Sequence, residues 1–329
     1  MLSRLHAIPG LEVSENVPLS GCTRFAIGGP ARWLVDVSTE EALAAAIAEI
    51  HLAGVPLAGI PFTVIGGGTN LIVADDGFPG VVLRYTASRI EAFGPVIRVE
   101  AGAVLQSLVD FSIERGLGGL ETMTGIPGWV GGAIYGNAGA YGHSIQERID
   151  SVRIFAAVHQ GGCGFRDLDN AACDFAYRDS VFKQHKDWIV TSATLRLAPA
   201  DSATLRATAD GILKIRNEKY PPSMRCAGSI FKNLILTQLP ESVRAQIPAS
   251  IIREGKVPSA YFLEKAGAKG MVNGAIRVAD YHANLIYNSG AGSSDNGSAA
   301  ELRQLIQVLK SRVREAYGLD LEEEVQYVP

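Results

Sequence analysis

The sequence predicts an α+β protein that contains α/β segments, and three observations support this class. The chain of 329 residues has 47% hydrophobic and 19% charged residues, a composition typical of globular rather than disordered proteins. Its first part alternates short apolar runs with a helical pattern, and later parts place strand-like runs beside long amphipathic helices. Single cores stop growing at about 250–300 residues, so two or three domains are expected.

The first predicted elements are a strand over Ala31–Val37 and a helix. Ser38 and Glu41 form a capping-box signature. It precedes Ala42–Ile50, which predicts a helix that ends near Gly54. Three short apolar runs separated by Gly, Asn and Asp then predict strands joined by tight turns. These runs are Phe62–Ile65, Leu71–Ala74 and Val81–Arg84.

The central part predicts antiparallel strands around one amphipathic helix. Ile90–Glu100 has the pattern of a hairpin. Val104–Glu114 places five apolar residues on one helical face, Val104 among them, and Gly116 closes the helix. Two further strands are expected at Ile149–Val158 and Trp188–Leu197. The region between them includes a turn-rich segment at His159–Gly164.

The second half predicts two long helices. The first covers roughly Ala203–Glu218 and ends before Pro221, which indicates a hinge between two functional regions. The second begins with a capping box at Ser298 and Glu301 and stops at Gly318. Its apolar stripe consists of Leu302, Leu305, Ile306, Leu309 and Val313. A strand is predicted after it at Leu321–Val328.

Composition narrows the classes of function. The formal charge is −4, and no basic block is present, so nucleic-acid binding and membrane-surface binding are disfavoured. Two stretches of 25 residues lack charge, but proline and glycine interrupt both, which excludes membrane spans. The four cysteines show no disulfide spacing, the start lacks a secretory signal and the six histidines lack metal spacing. We expect a cytoplasmic protein without a metal.

Two glycine-rich loops are the strongest local signals of ligand binding. Gly66-Gly67-Gly68 follows a strand, and its backbone could cradle a pyrophosphate. An ordinary turn stays open there, because the loop is neither a Walker A sequence nor a dinucleotide fingerprint. The second loop, Gly125–Gly142, is dense in glycine yet carries Ile, Trp, Val and Tyr. This composition favours a ligand pressed against main chain over a mobile surface loop.

Six ordered motifs, including both loops, resemble those of the UDP-N-acetylenolpyruvoylglucosamine reductase family. The motifs are Thr23–Gly29, Gly66–Leu71, Ile126–Gly142, Tyr177–Phe182, Ala227–Asn233 and Leu321–Val325. The resemblance covers nearly the whole chain. It implies an FAD-binding domain of the vanillyl-alcohol-oxidase type over roughly 24–197, followed by an α+β substrate-binding domain. The implied boundaries are 1–78 (joined by the C-terminal strand 319–329), 79–214 and 215–318.

The resemblance also implies cofactors and a reaction. NADPH would reduce a non-covalent FAD, and the enolpyruvyl ether of UDP-N-acetylglucosamine enolpyruvate would be reduced to UDP-N-acetylmuramate for peptidoglycan synthesis. Nucleic acid, membrane and an obligate protein partner are not expected. The residues implied to hold FAD are Gly66, Gly67, Gly68, Thr69, Asn70, Leu71, Ile126, Pro127, Gly128, Gly131, Gly132, Asn137, Gly139, Ala140 and Tyr141.

Three residues match the catalytic positions of the family. Ser229 matches the proton donor, and Arg178 matches the arginine that pairs with the substrate carboxylate. Glu324 matches the catalytic glutamate, although three consecutive acids make Glu322 and Glu323 open alternatives. The residues implied to bind substrate are Arg216, Lys232, Asn233 and His282, in the form of the family that lacks an extra tyrosine-bearing loop.

Two departures and two alternatives accompany this interpretation. Leu234 replaces the proline that usually follows Asn233, and Thr237–Pro258 resembles an insertion or a rewritten loop. Another FAD-dependent enzyme on the same scaffold, an alcohol or sugar oxidase, is one alternative, because fold does not fix chemistry. The other is a non-catalytic nucleotide-binding protein. The Ser229 motif, which a hydride-removing oxidase would not need, and the absence of histidine from Gly66–Leu71 for covalent flavin attachment argue against the oxidase. The presence of all three catalytic residues argues against the non-catalytic protein.

Overall fold

The computed structural model describes residues 2–52, 61–156 and 163–329, and the chain divides into two compact units. The first unit comprises Met1–Val17, Ala31–Gly67 and Pro79–Glu218, and the second comprises Pro18–Pro30, Gly68–Phe78 and Lys219–Pro329. Both units are discontinuous in sequence. Among the described residues, no helix is long and apolar enough to cross a membrane.

The described ranges contain both helices and strands. The α-helices are Leu2–Leu5, Glu40–Leu52, Leu105–Glu114, Val130–Tyr135, Val181–Gln184, Ser202–Lys219, Glu241–Arg244, Ser259–Lys265 and Ala299–Tyr317. The strands of three or more residues are Leu11–Pro18, Pro30–Val37, Phe62–Val64, Leu71–Val73, Phe78–Tyr85, Ile90–Phe93, Val96–Glu100, Ile149–Ala156, Gly164–Asp169, Trp188–Arg196, Cys226–Ser229, Ile276–Ala279, His282–Asn288 and Gln326–Val328.

The first unit is built on two sheets. One has four strands, in the order Leu11–Pro18, Pro30–Val37, Phe78–Tyr85 and Phe62–Val64, and its last pair is parallel. The other has five antiparallel strands, in the order Gly164–Asp169, Ile149–Ala156, Trp188–Arg196, Val96–Glu100 and Ile90–Phe93. Two hydrophobic cores stabilise this unit, and the larger one contains the helix Leu105–Glu114.

Two local predictions in the first unit are wrong in detail. The helix Glu40–Leu52 is capped by Thr39, whose Oγ1 accepts from the Ala42 amide at 3.1 Å. Ser38 instead donates its hydroxyl to the Gly10 carbonyl at 3.0 Å, so the proposed capping box does not form. Val104 precedes the helix as its N-cap and is 47% exposed, and therefore does not join the apolar face. The predicted helix end near Gly54 and most of the predicted turn at 159–164 lie outside the described residues.

The second unit packs a helix and a sheet around a large hydrophobic core. Its antiparallel sheet has the order Cys226–Ser229, His282–Asn288, Ile276–Ala279 and Val272–Asn273. The predictions for the terminal helix are confirmed, because the Ser298–Glu301 capping box forms and Gly318 ends the helix in the left-handed conformation. All five residues of the predicted stripe are buried: Leu302, Leu305, Ile306, Leu309 and Val313.

The end of the chain forms a shorter strand than predicted. Only Gln326–Val328 is a strand, and it runs parallel to Leu71–Val73. Before it, Glu323 makes an isolated bridge with Phe231. The atypical stretch Thr237–Pro258 is folded, with the helix Glu241–Arg244 and with several apolar residues in the core of this unit.

Candidate active site and cofactor loops

The second glycine loop is held by its own backbone and by one buried amide. The short helix Val130–Tyr135 lies in it, and the amides of its first two residues donate to the carbonyls of Ala103 and Ala101, both at 2.8 Å. Asn137 is 3% exposed and has a positive φ of 43°. Its Nδ2 donates to the Ala176 carbonyl at 2.8 Å. The loop is therefore an ordered part of the first unit.

A backbone-lined space lies between Gly66 of the first loop and Gly132 of the second. A Cβ built on Gly66 would approach only the Gly132 nitrogen, at 3.9 Å, and a Cβ built on Gly132 would meet nothing within 4 Å. Next to this space, a Cβ on Gly67 would lie 3.0 Å from the indole of Trp129. We call the space between Gly66 and Gly132 the glycine cradle, because side chains on these residues would fill it.

Two buried hydroxyls stand beside the second loop. The Oγ1 atoms of Thr122 and Thr124 are buried and have no hydrogen-bond partner among the described residues. Leaving a buried polar group unpaired costs about 1–3 kcal/mol. Such atoms are therefore usually satisfied by water or by a ligand. Thr124 is directly followed by the glycine loop, whose Gly125 amide donates to Gln106 Oε1 at 2.8 Å.

Arg178 lies at the tip of a tight turn that is attached to the second glycine loop. The amides of Ala176 and Asp179 each donate to the other's carbonyl at 3.1 Å, and Arg178 has a positive φ of 56°. Its Nη2 donates to the Gly139 carbonyl at 3.0 Å. After the turn, the Ser180 hydroxyl donates to the Tyr135 carbonyl at 2.7 Å. Non-glycine residues with positive φ are uncommon and gather at functional sites.

Arg216 also lies against the second loop. It belongs to the helix Ser202–Lys219, and its Cδ is 3.1 Å from a Cβ built on Gly125. A larger residue at Gly125 would crowd the Arg216 side chain, and the φ of +74° would strain its backbone. The first unit thus brings Arg178, Arg216 and Asn137 to one glycine-rich loop.

In the second unit, a β-bulge shapes the strand that ends at Ser229. Cys226 pairs with Tyr287 and Ser229 pairs with Leu285, and the register shifts between these two pairs. Gly228 sits in the bulge with φ of +76°. Bulges often occur beside active sites, where they redirect a side chain. The Ser229 hydroxyl lies 3.3 Å from that of Tyr220.

Glu324 lies on the segment that runs beside Ser229. Its amide donates to the carbonyl of Ile230 at 2.7 Å, and its carbonyl accepts from Asn70 Nδ2 at 2.9 Å. Asn70 follows Gly68, where φ is +64° and a Cβ would lie 1.7 Å from the Cys22 carbonyl oxygen. Only glycine fits there. The second unit therefore brings part of the first glycine loop and the Glu324 segment together.

Each of the two acidic residues before Glu324 forms an ion pair with a lysine. The Lys232 ammonium pairs with the Glu322 carboxylate. The Glu323 side chain is 14% exposed and pairs with Lys310 at 2.8 Å, and it also accepts from the hydroxyl of Tyr327. Burial and this carboxylate raise the pKa of Tyr327 above its ordinary value.

His282 begins the strand that pairs with the Ser229 strand. Its Nδ1 accepts from the Asn284 amide at 3.2 Å, and burial lowers its pKa to about 4, with a contribution from the charge of Lys219. The ring is therefore neutral near pH 7. Asn284, which is 2% exposed, accepts from the Phe231 amide at 2.9 Å through Oδ1, so it supports the backbone next to Ser229.

Tyr141 lies in the second glycine loop, where it is 48% exposed and has a φ of 54°. Leu71 begins the strand after the first loop, and Asn233 is exposed and follows the Ser229 strand. The sequence did not assign three further residues to the site: Tyr220, which contacts Ser229, Gly125, which lies beside Arg216, and Thr124. Tyr220 stands between Arg216 and Ser229 in the sequence, but a separation of nine positions does not show that the two hydroxyls meet.

Comparison with models of known protein families identifies the class of protein. The family model described as "FAD binding domain" matches residues 31–159, a range that contains both glycine loops. The protein is therefore a flavoprotein with an FAD-binding domain. A second model, described as "UDP-N-acetylenolpyruvoylglucosamine reductase, C-terminal domain", matches residues 220–328.

Comparison with individual proteins then identifies the family to which this chain belongs. The chain is 54% identical over 325 residues to the UDP-N-acetylenolpyruvoylglucosamine reductase of Solibacter usitatus, covering 99% of both chains. It is 35% identical to that of Rubrobacter xylanophilus, covering 94% of this chain and 93% of the relative. The crystal structure of the Thermus caldophilus reductase matches with a TM-score of 0.72 and 27% identity, covering 97% of this chain and 99% of that one. The chain belongs to the UDP-N-acetylenolpyruvoylglucosamine reductase family.

These comparisons confirm several predictions made from the sequence. The family, the α+β class with an FAD-binding domain and a C-terminal domain, and FAD as cofactor are confirmed. The assignment as an FAD-dependent oxidoreductase is also confirmed. This family is favoured over both alternatives, an alcohol or sugar oxidase and a non-catalytic protein. The roles of individual residues and the domain boundaries stay predictions.

Proposed function

We propose that this protein reduces the enolpyruvyl ether of UDP-N-acetylglucosamine enolpyruvate to UDP-N-acetylmuramate, with NADPH as the reductant. The observation that carries the proposal is the placement of Ser229 beside the Glu324 segment, fixed by the 2.7 Å hydrogen bond from the Glu324 amide to the Ile230 carbonyl. Full-length identity of 54% to a protein of that name supports it. A cytoplasmic location and the lack of an obligate protein partner stay predictions.

The residues of the first unit fit FAD. The glycine cradle offers backbone at close approach, and the unpaired hydroxyls of Thr122 and Thr124 offer polar contacts next to the second loop. We assign the residues of the two loops, Gly66–Leu71 and Ile126–Tyr141, to holding the cofactor. Bound FAD supplies the two-electron chemistry that connects NADPH oxidation with substrate reduction.

Each catalytic residue has a proposed role that its surroundings can support. Negative charge develops on the enolpyruvyl carboxylate side as the terminal methylene carbon is reduced. The planar guanidinium of Arg178 would pair with that carboxylate. Ser229 would donate a proton to the adjacent carbon, and Glu324 would help to polarise the carboxylate. Glu322 pairs with Lys232 and Glu323 with Lys310, and both acids stay alternatives to Glu324.

Four charged and polar residues are proposed to bind the rest of the substrate. Lys232 is 14% exposed and its amide donates to the Glu322 carbonyl at 2.9 Å, so its position is well defined. Arg216 is suited to the diphosphate, because guanidinium binds phosphate oxygens in a planar geometry. Asn233 and His282 complete the proposed set.

The test is anaerobic flavin reduction followed by reoxidation. NADPH should bleach the flavin absorbance, and the UDP-enolpyruvyl sugar should restore it faster than oxygen does. Failure of the sugar to reoxidise a flavin that NADPH has reduced would contradict the proposed substrate. Protein that takes up no FAD after purification would contradict the assignment of the cofactor loops.

Ser229→Ala separates the two halves of the reaction. It should leave flavin reduction by NADPH at the wild-type rate and slow reoxidation by the sugar by at least about 100-fold, since general acid catalysis contributes about 10²–10⁴-fold. Ser293→Ala is the matched control, because it removes an exposed hydroxyl that donates to the Gly290 carbonyl and accepts from the Asp295 amide. Equal loss in both half-reactions would refute the role of Ser229 as proton donor.

A further inference from the structure

Tyr220 is in contact with the proposed proton donor. Its Oη lies 3.3 Å from Ser229 Oγ, which is longer than the usual O–H···O distance of about 2.7–2.8 Å. Catalytic hydrogen bonds are often loose until substrate binds. The contact joins residues nine positions apart, and Ser229 follows the register shift between Cys226 and Ser229.

The segment that carries Tyr220 is held in place from several sides. The Tyr281 hydroxyl donates to the carbonyl of Lys219 at 2.9 Å. The Tyr220 ring packs against the small core formed by Cys226, Ala279 and Leu285, and it lies 6.4 Å from the ring of His282 between centroids. These contacts give the Tyr220 hydroxyl a defined position, as proton transfer requires.

The acidity of a phenol suits it to resupply a proton to serine. The Tyr220 ring also lies beside a cation, since the Lys219 ammonium is 5.0 Å from the ring centroid. Phenols have a pKa of about 10, whereas hydroxyls such as that of water have a pKa of about 15.7. A serine that gives up its proton alone must become an alkoxide. A serine that is reprotonated by tyrosine as it reacts does not.

We propose that Tyr220 relays the proton that Ser229 delivers to the substrate, an inference that rests on the proposed function. As the methylene carbon accepts hydride, the O–H bond of Ser229 breaks and a C–H bond forms at the neighbouring carbon. The Oη–H bond of Tyr220 breaks in the same step, and its proton restores the serine hydroxyl. Tyr220 is left as a phenolate, which regains a proton from water. One hydride and one proton are added to the substrate.

Tyr220→Phe tests the relay in the holoenzyme. Reoxidation by saturating UDP-enolpyruvyl sugar should slow by about 10–100-fold, within the range of general acid catalysis. Flavin reduction by NADPH and the sugar concentration at half-saturation should stay within about twofold, because the ring and its packing are retained. A wild-type rate of reoxidation, or a loss seen only as a raised half-saturation concentration, would overturn the proposal.

A matched control separates the relay from a general effect of losing a tyrosine hydroxyl. Tyr261→Phe removes a hydroxyl that donates a hydrogen bond of the same 3.3 Å length, to the Gln246 carbonyl. It should react at the wild-type rate in both half-reactions. If wild-type flavin itself is not reoxidised by the sugar, the proposed function fails, and this outcome is distinct from a failure of the relay.

A double-mutant cycle gives a second readout that a structural role would not produce. If Tyr220 acts through Ser229, Tyr220→Phe should cause no further loss in the Ser229→Ala background, because the two effects are coupled. Tyr220→Phe should also lower the solvent deuterium isotope effect on reoxidation, since one proton fewer moves. Additive losses in the cycle would overturn the relay.

Discussion

Gly132→Ala is the perturbation that tests the glycine cradle most directly. Gly132 lies in the short helix Val130–Tyr135, and a Cβ there would meet no protein atom within 4 Å. Alanine is favoured over glycine in a helix by about 0.5–1 kcal/mol, so the protein without FAD should become slightly more stable. With FAD in the cradle, the methyl group would overlap the cofactor.

The magnitude follows from the cost of overpacking. An extra methyl group in a filled site costs about 1–3 kcal/mol, and each 1.4 kcal/mol changes a dissociation constant tenfold. Gly132→Ala should therefore weaken FAD binding by about 5–150-fold. The assay is titration of the apoprotein with FAD, followed by the change in flavin fluorescence, with urea unfolding of the apoprotein measured in parallel.

Gly211→Ala is the matched control for Gly132→Ala. Gly211 lies in the helix Ser202–Lys219, and a Cβ there also meets nothing within 4 Å. This variant should gain similar stability without any change in FAD affinity. If Gly132→Ala binds FAD as tightly as Gly211→Ala and the wild type do, the assignment of the cradle to FAD is refuted.

Two further predictions concern stability. Ser298→Ala removes the cap whose hydroxyl accepts from the Glu301 amide at 3.1 Å. It should lower the free energy of unfolding by about 1 kcal/mol, measured by urea unfolding. An unchanged urea midpoint would show that the capping box contributes nothing to stability. The pKa of His282 is lowered to about 4 from 6.5, so below pH 6.5 the unfolded state binds a proton that the folded state excludes. Stability should therefore fall as pH decreases from about 6.5 to 4, and His282→Gln should flatten this slope in thermal unfolding; an unaltered slope would contradict the assignment.

Structural features that depend only on residues close together in the sequence could be predicted from it. The terminal helix is one example, because its cap, its stripe and its stop signal all lie within one segment. The cap of the helix Glu40–Leu52 was missed because Ser38 and Thr39 are both suitable caps, and the Gly10 carbonyl takes the Ser38 hydroxyl. A local pattern cannot show such competition for a distant partner.

Contacts between distant segments could not be predicted. Asn70 appears in the sequence as a glycine-loop residue, yet its amide binds the carbonyl of Glu324, 254 positions away. Tyr220 contacts Ser229 next to a register shift, and apolar patterns in the sequence encode neither feature. The roles of Ser229, Arg178 and Glu324 were accessible only through resemblance, because a lone serine, arginine or glutamate carries no signal of catalysis.

The parallel pairing of Gln326–Val328 with Leu71–Val73 has a consequence for how the protein folds. Contacts of such high sequence separation give a high contact order, which slows folding because a long loop must close before the pair forms. During synthesis, the strand Leu71–Val73 stays without this neighbour until more than two hundred further residues have been made. An apolar, unpaired edge is prone to aggregation in that interval, so the yield of active enzyme should depend on the speed of translation and on chaperones.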